Sequence, residues 1–238
     1  NSTIGKQLGF LKWFLKWSAN NGYHKNMAYL SFKPKLKTTE KRIIYLTWDE
    51  LMTVYNFPIP ESKKYLDRVR DVFCFCCFTS LRYSDVYNLK RFDIKNGALH
   101  ITTVKTADSL TIDLNKYSQA ILDKYDGVPF EDNKALPVIS NQKMNDYIKE
   151  LGQLCGLDQP ETVTYYVGNE RVDEVYPKYE LMGTHTGRRT FISNAIMMGI
   201  PPQVVMKWTG HSDYKAMKPY IAIADSAKAE AMKLFNEK

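Results

Sequence analysis

One long segment, from Ser62 to Phe78, repeats its apolar residues at the spacing of an amphipathic helix and carries charged residues between them. The apolar positions of this pattern are Tyr65, Leu66, Val69, Val72, Phe73 and Cys76. The pattern predicts a helix that leads directly into Thr79-Ser80-Leu81-Arg82. Any fold of this chain must therefore hold a long helix with an arginine, Arg82, four residues after its end.

Helical spacing recurs elsewhere in the chain, whereas strand patterns are few. Further helices are predicted over Ser2–Asn20, from a capping box of Thr47 and Glu50, from Ser140 to about Cys155, and over Thr184–Met198, Pro201–Trp208 and Asp225–Phe235. Strands are predicted over Ala98–Val104 and Leu110–Leu114, which form a β-hairpin with Lys105 at its tip, and over Thr162–Val167. The predicted fold class is α+β, mostly α, with a small antiparallel sheet.

The helical pattern disappears between Ser31 and Arg42, where basic residues outnumber acidic ones. This predicts three parts: residues 1–33 as the end of a helical domain, residues 34–42 as a basic linker, and residues 43–238 as a second domain. The chain opens on Asn rather than Met, so we expect it to be a fragment of a longer protein. The net charge of +7 favours a polyanionic partner such as nucleic acid.

Composition and missing motifs exclude several classes of protein. No apolar run reaches the length of a membrane span, so we expect a cytoplasmic protein with no membrane partner. Three cysteines crowd into the apolar run that contains Cys74, Cys76 and Cys77, and Cys155 stands alone, so reduced structural thiols are expected. No acidic cluster has metal-ligand spacing, and neither a phosphate-binding loop nor GxGxxG occurs. Two-metal nucleases and nucleotide-driven enzymes are therefore disfavoured, and neither metal nor cofactor is expected.

Six residues that suit phosphate chemistry are spread over the second domain. They are Arg82, Lys105, His185, Arg188, His211 and Tyr220. Each residue type is ordinary by itself, but His185 and Arg188 lie one helical turn apart and so share a face. Guanidinium groups hold phosphate oxygens through paired hydrogen bonds and stay charged, so the two arginines are predicted to stabilise a reacting phosphate in place of a metal. His211 is a further candidate donor to that phosphate.

A tyrosine is the candidate nucleophile of this set. The phenol of Tyr220 must lose its proton before it attacks phosphorus, and His185 is the candidate base or proton relay. Tyr214 also follows His211 and is the alternative nucleophile.

The order Arg, Lys, His-x-x-Arg, Gly-His and Tyr resembles the signature of the tyrosine recombinase family, also called phage integrases, over roughly residues 43–235. In this resemblance Asp85 matches the acidic residue that supports the site, and Lys105 matches the general acid that protonates the departing 5′ oxygen. The family spacing favours Tyr220 as the nucleophile. Ser80 stands where a glycine is usual, a departure that affects the turn before Arg82 and removes no reacting group.

The resemblance also implies an architecture and a set of partners. The helix at Ser2–Asn20 looks like the end of the family's core-binding domain, and residues 43–238 like its catalytic domain. The implied partners are double-stranded DNA, a homotetramer on paired DNA sites, and accessory DNA-bending proteins. A tail such as Asp225–Phe235 often docks on a neighbouring protomer in the family. The basic residues expected to follow the DNA backbone are Lys33, Lys35, Lys37, Lys41 and Arg42.

The implied function is a site-specific DNA recombinase or integrase that cleaves and rejoins strands through a 3′-phosphotyrosine, for integration or excision of a mobile element. It would act in the cytoplasm, associated with the nucleoid. Type IB topoisomerases share this chemistry, but the Gly-His and Tyr spacing and the small size favour a recombinase. The remaining alternative is a noncatalytic DNA-binding scaffold, against which the presence of all the reacting residues argues.

Overall fold

The computed structural model describes residues 1–39 and 42–224. The helices are α1 (Ser2–Asn20), α2 (Trp48–Asn56), α3 (Tyr65–Thr79), α4 (Tyr83–Asn88), α5 (Lys116–Lys124), α6 (Asn141–Leu154), α7 (Thr184–Met197) and α8 (Pro202–Thr209). The strands are β1 (Ile94–Lys95), β2 (Ala98–Thr102), β3 (Ser109–Asp113), β4 (Pro160–Val167) and β5 (Glu170–Pro177). No helix in the described ranges is both long enough and apolar enough to cross a membrane.

The chain divides into two compact units. The first contains Asn1–Arg42 and Pro160–Tyr176, and the second contains Ile43–Gln159 and resumes at Pro177. The hairpin β4–β5 therefore lies in the same compact unit as the N-terminal residues, which the sequence did not predict.

In the first unit, α1 begins and ends where its apolar period predicts. Its large apolar side chains nevertheless face solvent, with Phe10 and Trp13 about two-thirds exposed, at 69% and 67%. After α1 the chain forms a 3₁₀ turn, Ala28–Leu30, and then runs without regular secondary structure to β4, where the Thr39 hydroxyl donates to the Thr164 carbonyl at 2.9 Å. As far as it is described, the first unit therefore consists of one α-helix, a 3₁₀ turn, an irregular segment and a two-stranded sheet.

The second unit is built around α3, which is buried along most of its length. It packs most extensively against α7, and Gly187 permits the close approach, because a Cβ there would lie 2.8 Å from the Cys76 Cβ. The cysteines at 74, 76 and 77 fill this interior as free thiols, as predicted. The predicted capping box also forms, with the Thr47 amide donating to Glu50 at 2.7 Å.

The sheet of the second unit has the order β1-β2-β3 with antiparallel pairing. Leu99 pairs with Ile112 and Ile101 with Leu110, and all four side chains face the core. The predicted hairpin and the mostly helical α+β class are therefore confirmed. The loop that joins β2 to β3 carries Lys105.

Candidate active site

The end of α3 and the start of α7 bring the two predicted arginines together. Ser80 terminates α3 in the left-handed conformation, with φ 65°, which is why a glycine would suit this position. Its carbonyl then accepts a hydrogen bond of 3.0 Å from Nη1 of Arg188 on α7. Serine in place of glycine therefore leaves the turn intact, and the turn's own backbone holds the second arginine.

Arg188 is fully enclosed by protein groups, with 3% of its surface exposed. Its Nη2 donates to the Thr209 carbonyl at the end of α8 and lies 3.4 Å from Nε2 of His211. Burial, and then the charge of Arg82, lower the pKa of Arg188 to about 10, so it stays protonated at neutral pH. The guanidinium is therefore a fixed positive charge whose orientation is set by two backbone carbonyls.

The neighbours of His211 determine its tautomer. Gly210 ends α8 with φ 63°, and the Thr209 hydroxyl gives its hydrogen to the Val205 carbonyl at 2.8 Å. That hydroxyl can only accept from Nδ1 of His211, 2.8 Å away, so Nε2 is left as the acceptor that faces Arg188. Burial and the charges of Arg188, Arg82 and His185 lower the pKa of His211 to about 4. The ring is neutral at pH 7 unless an anion enters.

Arg82 follows the turn and caps α4. Its Nη1 is buried and makes no hydrogen bond within the described residues, and Asp85 Oδ2 lies 3.9 Å from it, too far for one. A buried guanidinium nitrogen without an acceptor is costly, so this position favours an incoming anion. Arg82 thus supplies a donor that the protein itself leaves open.

Asp85 connects this arginine to the loop of Lys105. Its side chain is buried, Oδ2 accepts from the Arg82 amide at 3.3 Å, and Oδ1 accepts from the Val104 amide at 3.0 Å. Lys105 is the next residue after Val104 and is exposed on the turn between β2 and β3. The Asp85 carboxylate therefore holds the backbone both at Arg82 and next to Lys105.

His185 lies at the N-terminal end of α7, and the residue is exposed. Partial burial, followed by the charges of Arg189, Arg188, Arg82 and Lys105, lowers its pKa to about 4. The ring is therefore neutral at pH 7 and able to accept a proton. The charge of Lys105 reaches the same ring, which places the loop and the helix on one site.

The two candidate nucleophiles have different surroundings. Tyr220 is half-buried in a helix that begins at residue 218, and it packs on the apolar cluster of Ile192 and Ile196 from α7. Burial raises its pKa, while Arg189 and Arg188 lower it. Tyr214 lies in a single 3₁₀ turn and is 45% exposed. The charges of the site's arginines therefore act on Tyr220, the residue that the family spacing favours.

Sequence reasoning missed Arg189. It lies beside Arg188 and one turn after His185, and that spacing was the available signal. Its charge acts on both His185 and Tyr220. The structure thus adds a third arginine to the predicted pair.

The predicted DNA-contacting residues lie in the first unit. Lys33, Lys35 and Lys37 are exposed, and Lys37 Nζ lies 5.7 Å from the centre of the Tyr166 ring. Arg42 forms an ion pair of 2.8 Å with Glu161 of β4. Lys41 and the predicted helix Asp225–Phe235 fall outside the described residues.

Within the described ranges, no three His, Cys, Asp or Glu side chains are grouped in a way that would hold a metal ion. The positive groups of the site are instead side chains of the protein. The arrangement can bind one phosphate between fixed cations, with a phenol and neutral imidazoles nearby.

Comparison with known proteins gives one family and many similar structures. The sequence profile described as "Phage integrase family" matches residues 45–227. No curated protein sequence matches the chain significantly.

The solved structures resemble this fold at low sequence identity. The Tn1549 transposon integrase, in complex with a circular intermediate DNA, has a TM-score of 0.69 at 15% identity over 98% of this chain and 79% of that chain. A lambda integrase tetramer bound to a Holliday junction has a TM-score of 0.62 at 16% identity over 87% of this chain and 57% of that chain. XerH recombinase bound to difH substrate has a TM-score of 0.59 at 15% identity over 82% of this chain and 54% of that chain. The chain therefore spans about half the length of that protein.

Proposed function

The chain belongs to the phage integrase family and carries its tyrosine recombinase catalytic domain, and on that premise we propose that it cleaves and rejoins DNA strands through a covalent bond between Tyr220 and a 3′ phosphate. The proposed role is site-specific recombination, for integration or excision of a mobile element. The observation that supports this most is the open Nη1 of Arg82, beside the anchored Arg188 and near a half-buried tyrosine.

In the proposed first step, the scissile phosphate lies between Arg82, Arg188 and His211. Guanidinium donors stabilise the charge that builds on the nonbridging oxygens. Because Nε2 of the free imidazole carries no proton, His211 must take up a proton, or change tautomer, before it donates to a phosphate oxygen. The negative phosphate favours that uptake by raising the pKa of the ring.

The bonds and protons of cleavage then balance as follows. The phenol proton of Tyr220 passes to His185 or to water, and the phenolate oxygen forms a bond to phosphorus. The bond from phosphorus to the 5′ oxygen breaks, and Lys105 gives that oxygen its proton. Rejoining reverses these steps with another 5′ hydroxyl, so the phosphotyrosine bond conserves the energy and no nucleotide is consumed.

The test uses a pool of duplexes with randomised cores, incubated with the protein in EDTA and then denatured. DNA that stays covalently attached is recovered and sequenced, with the Tyr220→Phe protein as the matched control. The proposal expects enrichment of a related set of sequences that the control does not retain. Equal recovery from both proteins, or attachment that needs added magnesium, would contradict it.

We further propose that the protein works as a homotetramer on paired DNA sites. Related proteins are described as a dimer on a core site and as a tetramer on a Holliday junction. The spacing of Ala227, Ala231, Leu234 and Phe235 in the sequence predicts one apolar helical face, which would suit docking on a neighbouring protomer. Removing the residues after Ile223 should leave single protomers on DNA in mass photometry, and unchanged tetramers would reject this role for the tail.

The basic linker is proposed to follow the DNA backbone. The protein is proposed to act in the cytoplasm, in association with the nucleoid. The exposure of Lys33, Lys35 and Lys37 supports this, since exposed ammonium groups displace counterions from phosphates. Changing all three lysines to glutamine should weaken DNA binding and flatten its dependence on salt. An unchanged salt dependence would show that the linker does not contact phosphates.

A further inference from the structure

Arg189 lies where the apolar and the charged faces of α7 meet. It is one turn after His185 and one turn before Ile192, and Ile196 follows on the same side of the helix. Ile192 and Ile196 are buried in the cluster on which Tyr220 packs. Helical side chains lean towards the N-terminus, so Arg189 extends over the turn that carries His185. The helix therefore directs this guanidinium to the boundary between Tyr220 and the cationic site.

The two consecutive arginines differ in what holds them. The guanidinium of Arg188 is bound by the carbonyls of Ser80 and Thr209. The Arg189 side chain is half-buried and forms neither an ion pair nor a hydrogen bond with any residue that the structure describes. The buried acid of the site, Asp85, is occupied by the amides of Arg82 and Val104. Among the described residues, no acidic side chain therefore pairs with the charge of Arg189.

We propose that Arg189 is a positioning residue that stabilises the phenolate of Tyr220 and so sets the reactivity of this tyrosine. Burial opposes ionisation of the phenol and raises its pKa, and Arg189, ahead of Arg188, lowers it again. A positive charge near a phenolate favours the charged form, and this effect grows where water is excluded. The two charged groups that lower the pKa of Tyr220, Arg189 and Arg188, both lie on α7. Arg189 has the larger effect, so a substitution at position 189 removes the larger of the two contributions.

A different use of the same arginine would be contact with a DNA phosphate. If that were its role, removing Arg189 would lower the affinity for DNA without changing the ionisation of Tyr220 in the free protein. The two roles are therefore separated by a measurement made without DNA.

The decisive experiment places 3-fluorotyrosine at position 220 alone and follows its ¹⁹F resonance during a pH titration of the DNA-free protein. Fluorine makes the phenol more acidic, so ionisation is complete at a lower pH, and circular dichroism at each pH confirms that the protein is folded. The variants are Arg189→Gln, Arg189→Lys, and Arg68→Gln as a control that removes an exposed arginine of α3.

Arg189→Gln should move the midpoint to higher pH, Arg189→Lys should restore most of the shift, and Arg68→Gln should leave it unchanged. An unchanged midpoint in Arg189→Gln overturns the proposal, and an unchanged midpoint with weaker DNA binding assigns the residue to phosphate contact instead.

The consequence for reactivity rests on the proposed cleavage of DNA. Single-turnover cleavage by Arg189→Gln should be roughly tenfold slower at neutral pH, because a lost neighbouring charge shifts a phenol towards its neutral form. The rise of the rate with pH should also begin at higher pH than in the unchanged protein. If neither protein cleaves DNA, the proposed function fails, while the fluorine titration still decides whether Arg189 acts on Tyr220.

Discussion

Arg188 and Lys105 are both assigned to the proposed active site but are held in opposite ways. Arg188 is buried and bound by carbonyls from the ends of α3 and α8, which are far apart in sequence. Lys105 is exposed on a turn whose neighbouring residues Val104 and Thr106 are held by Asp85 and Asp108, but its own ammonium forms no hydrogen bond or ion pair with a described residue. The fold therefore fixes the charge that would bind phosphate and leaves movable the ammonium that would deliver a proton.

A fixed arginine and a movable lysine suit the two tasks proposed for them, stabilising the phosphate and protonating the departing oxygen. A charge that stabilises a developing negative phosphate is most effective when it needs no rearrangement during the reaction. A proton donor must approach an oxygen that moves away as its bond breaks, so a side chain on a turn is an advantage. Substitutions at the two positions should therefore fail in different ways.

The largest effect is expected from Arg188→Lys. Lysine keeps the charge, but its ammonium cannot hold both carbonyls and a phosphate in the fork geometry of arginine, so cleavage should slow by about 1000-fold. Thermal unfolding should also begin at a lower temperature. Arg91→Lys is the matched control, because Arg91 likewise donates to two carbonyls, those of Tyr125 and Val128, outside the site. Equal cleavage by both variants would remove Arg188 from the mechanism.

Lys105→Ala should slow cleavage by about 100-fold without changing thermal stability. The defect should disappear on DNA whose bridging 5′ oxygen is replaced by sulfur, because a thiolate leaves without being protonated. Lys95→Ala, at the other end of the hairpin, removes a similar exposed ammonium and should have no effect. A defect that persists on the sulfur substrate would show that Lys105 binds rather than protonates.

Asp85→Asn should have an intermediate effect, since it weakens the link between the two regions. The amide can accept only one of the two backbone hydrogen bonds and presents an N–H to the other. We expect cleavage to slow by about tenfold and the free energy of unfolding to fall by about 1–3 kcal/mol. Asp113→Asn, exposed on β3, is the control. If only stability changes, the Lys105 loop does not depend on this carboxylate.

The smallest effect concerns acid stability. The pKa of His211 is lowered from 6.5 to about 4 in the folded protein, so the unfolded chain binds more protons between these values. Stability should be greatest above about pH 6.5 and should fall as the pH drops towards 4. His211→Gln should show a shallower fall in melting temperature over this range, with the part due to His185 remaining. An identical fall in both proteins would show that the folded protein does not lower the pKa of His211.

Most of the site follows from local patterns in the sequence. His185 and Arg188 share a face because any helix at Thr184–Met198 puts residues one turn apart on the same side. The hairpin tip was also visible as a break in the strand pattern, whereas the turn before Arg82 was implied by the resemblance to the family. These features depend on neighbours in the chain, and the structure confirms where they lie.

Other features depend on contacts between distant residues, which no local pattern records. The bond from Asp85 to Val104 joins a helix to a hairpin loop. Strand β5 escaped prediction because Glu170, Arg171, Asp173 and Glu174 give it few β-branched residues. The effect of Arg189 on Tyr220 becomes evident only when Tyr220 is packed against α7.

The most direct test of the central claim identifies the residue that becomes attached to DNA. The protein is incubated in EDTA with a DNA sequence recovered from the randomised pool, the adduct is trapped under denaturing conditions, and the modified peptide is mapped by mass spectrometry. The account predicts a 3′ phosphate linked to Tyr220, with a free 5′ hydroxyl on the other strand end. A linkage to Tyr214, or to the 5′ end of the DNA, would contradict it.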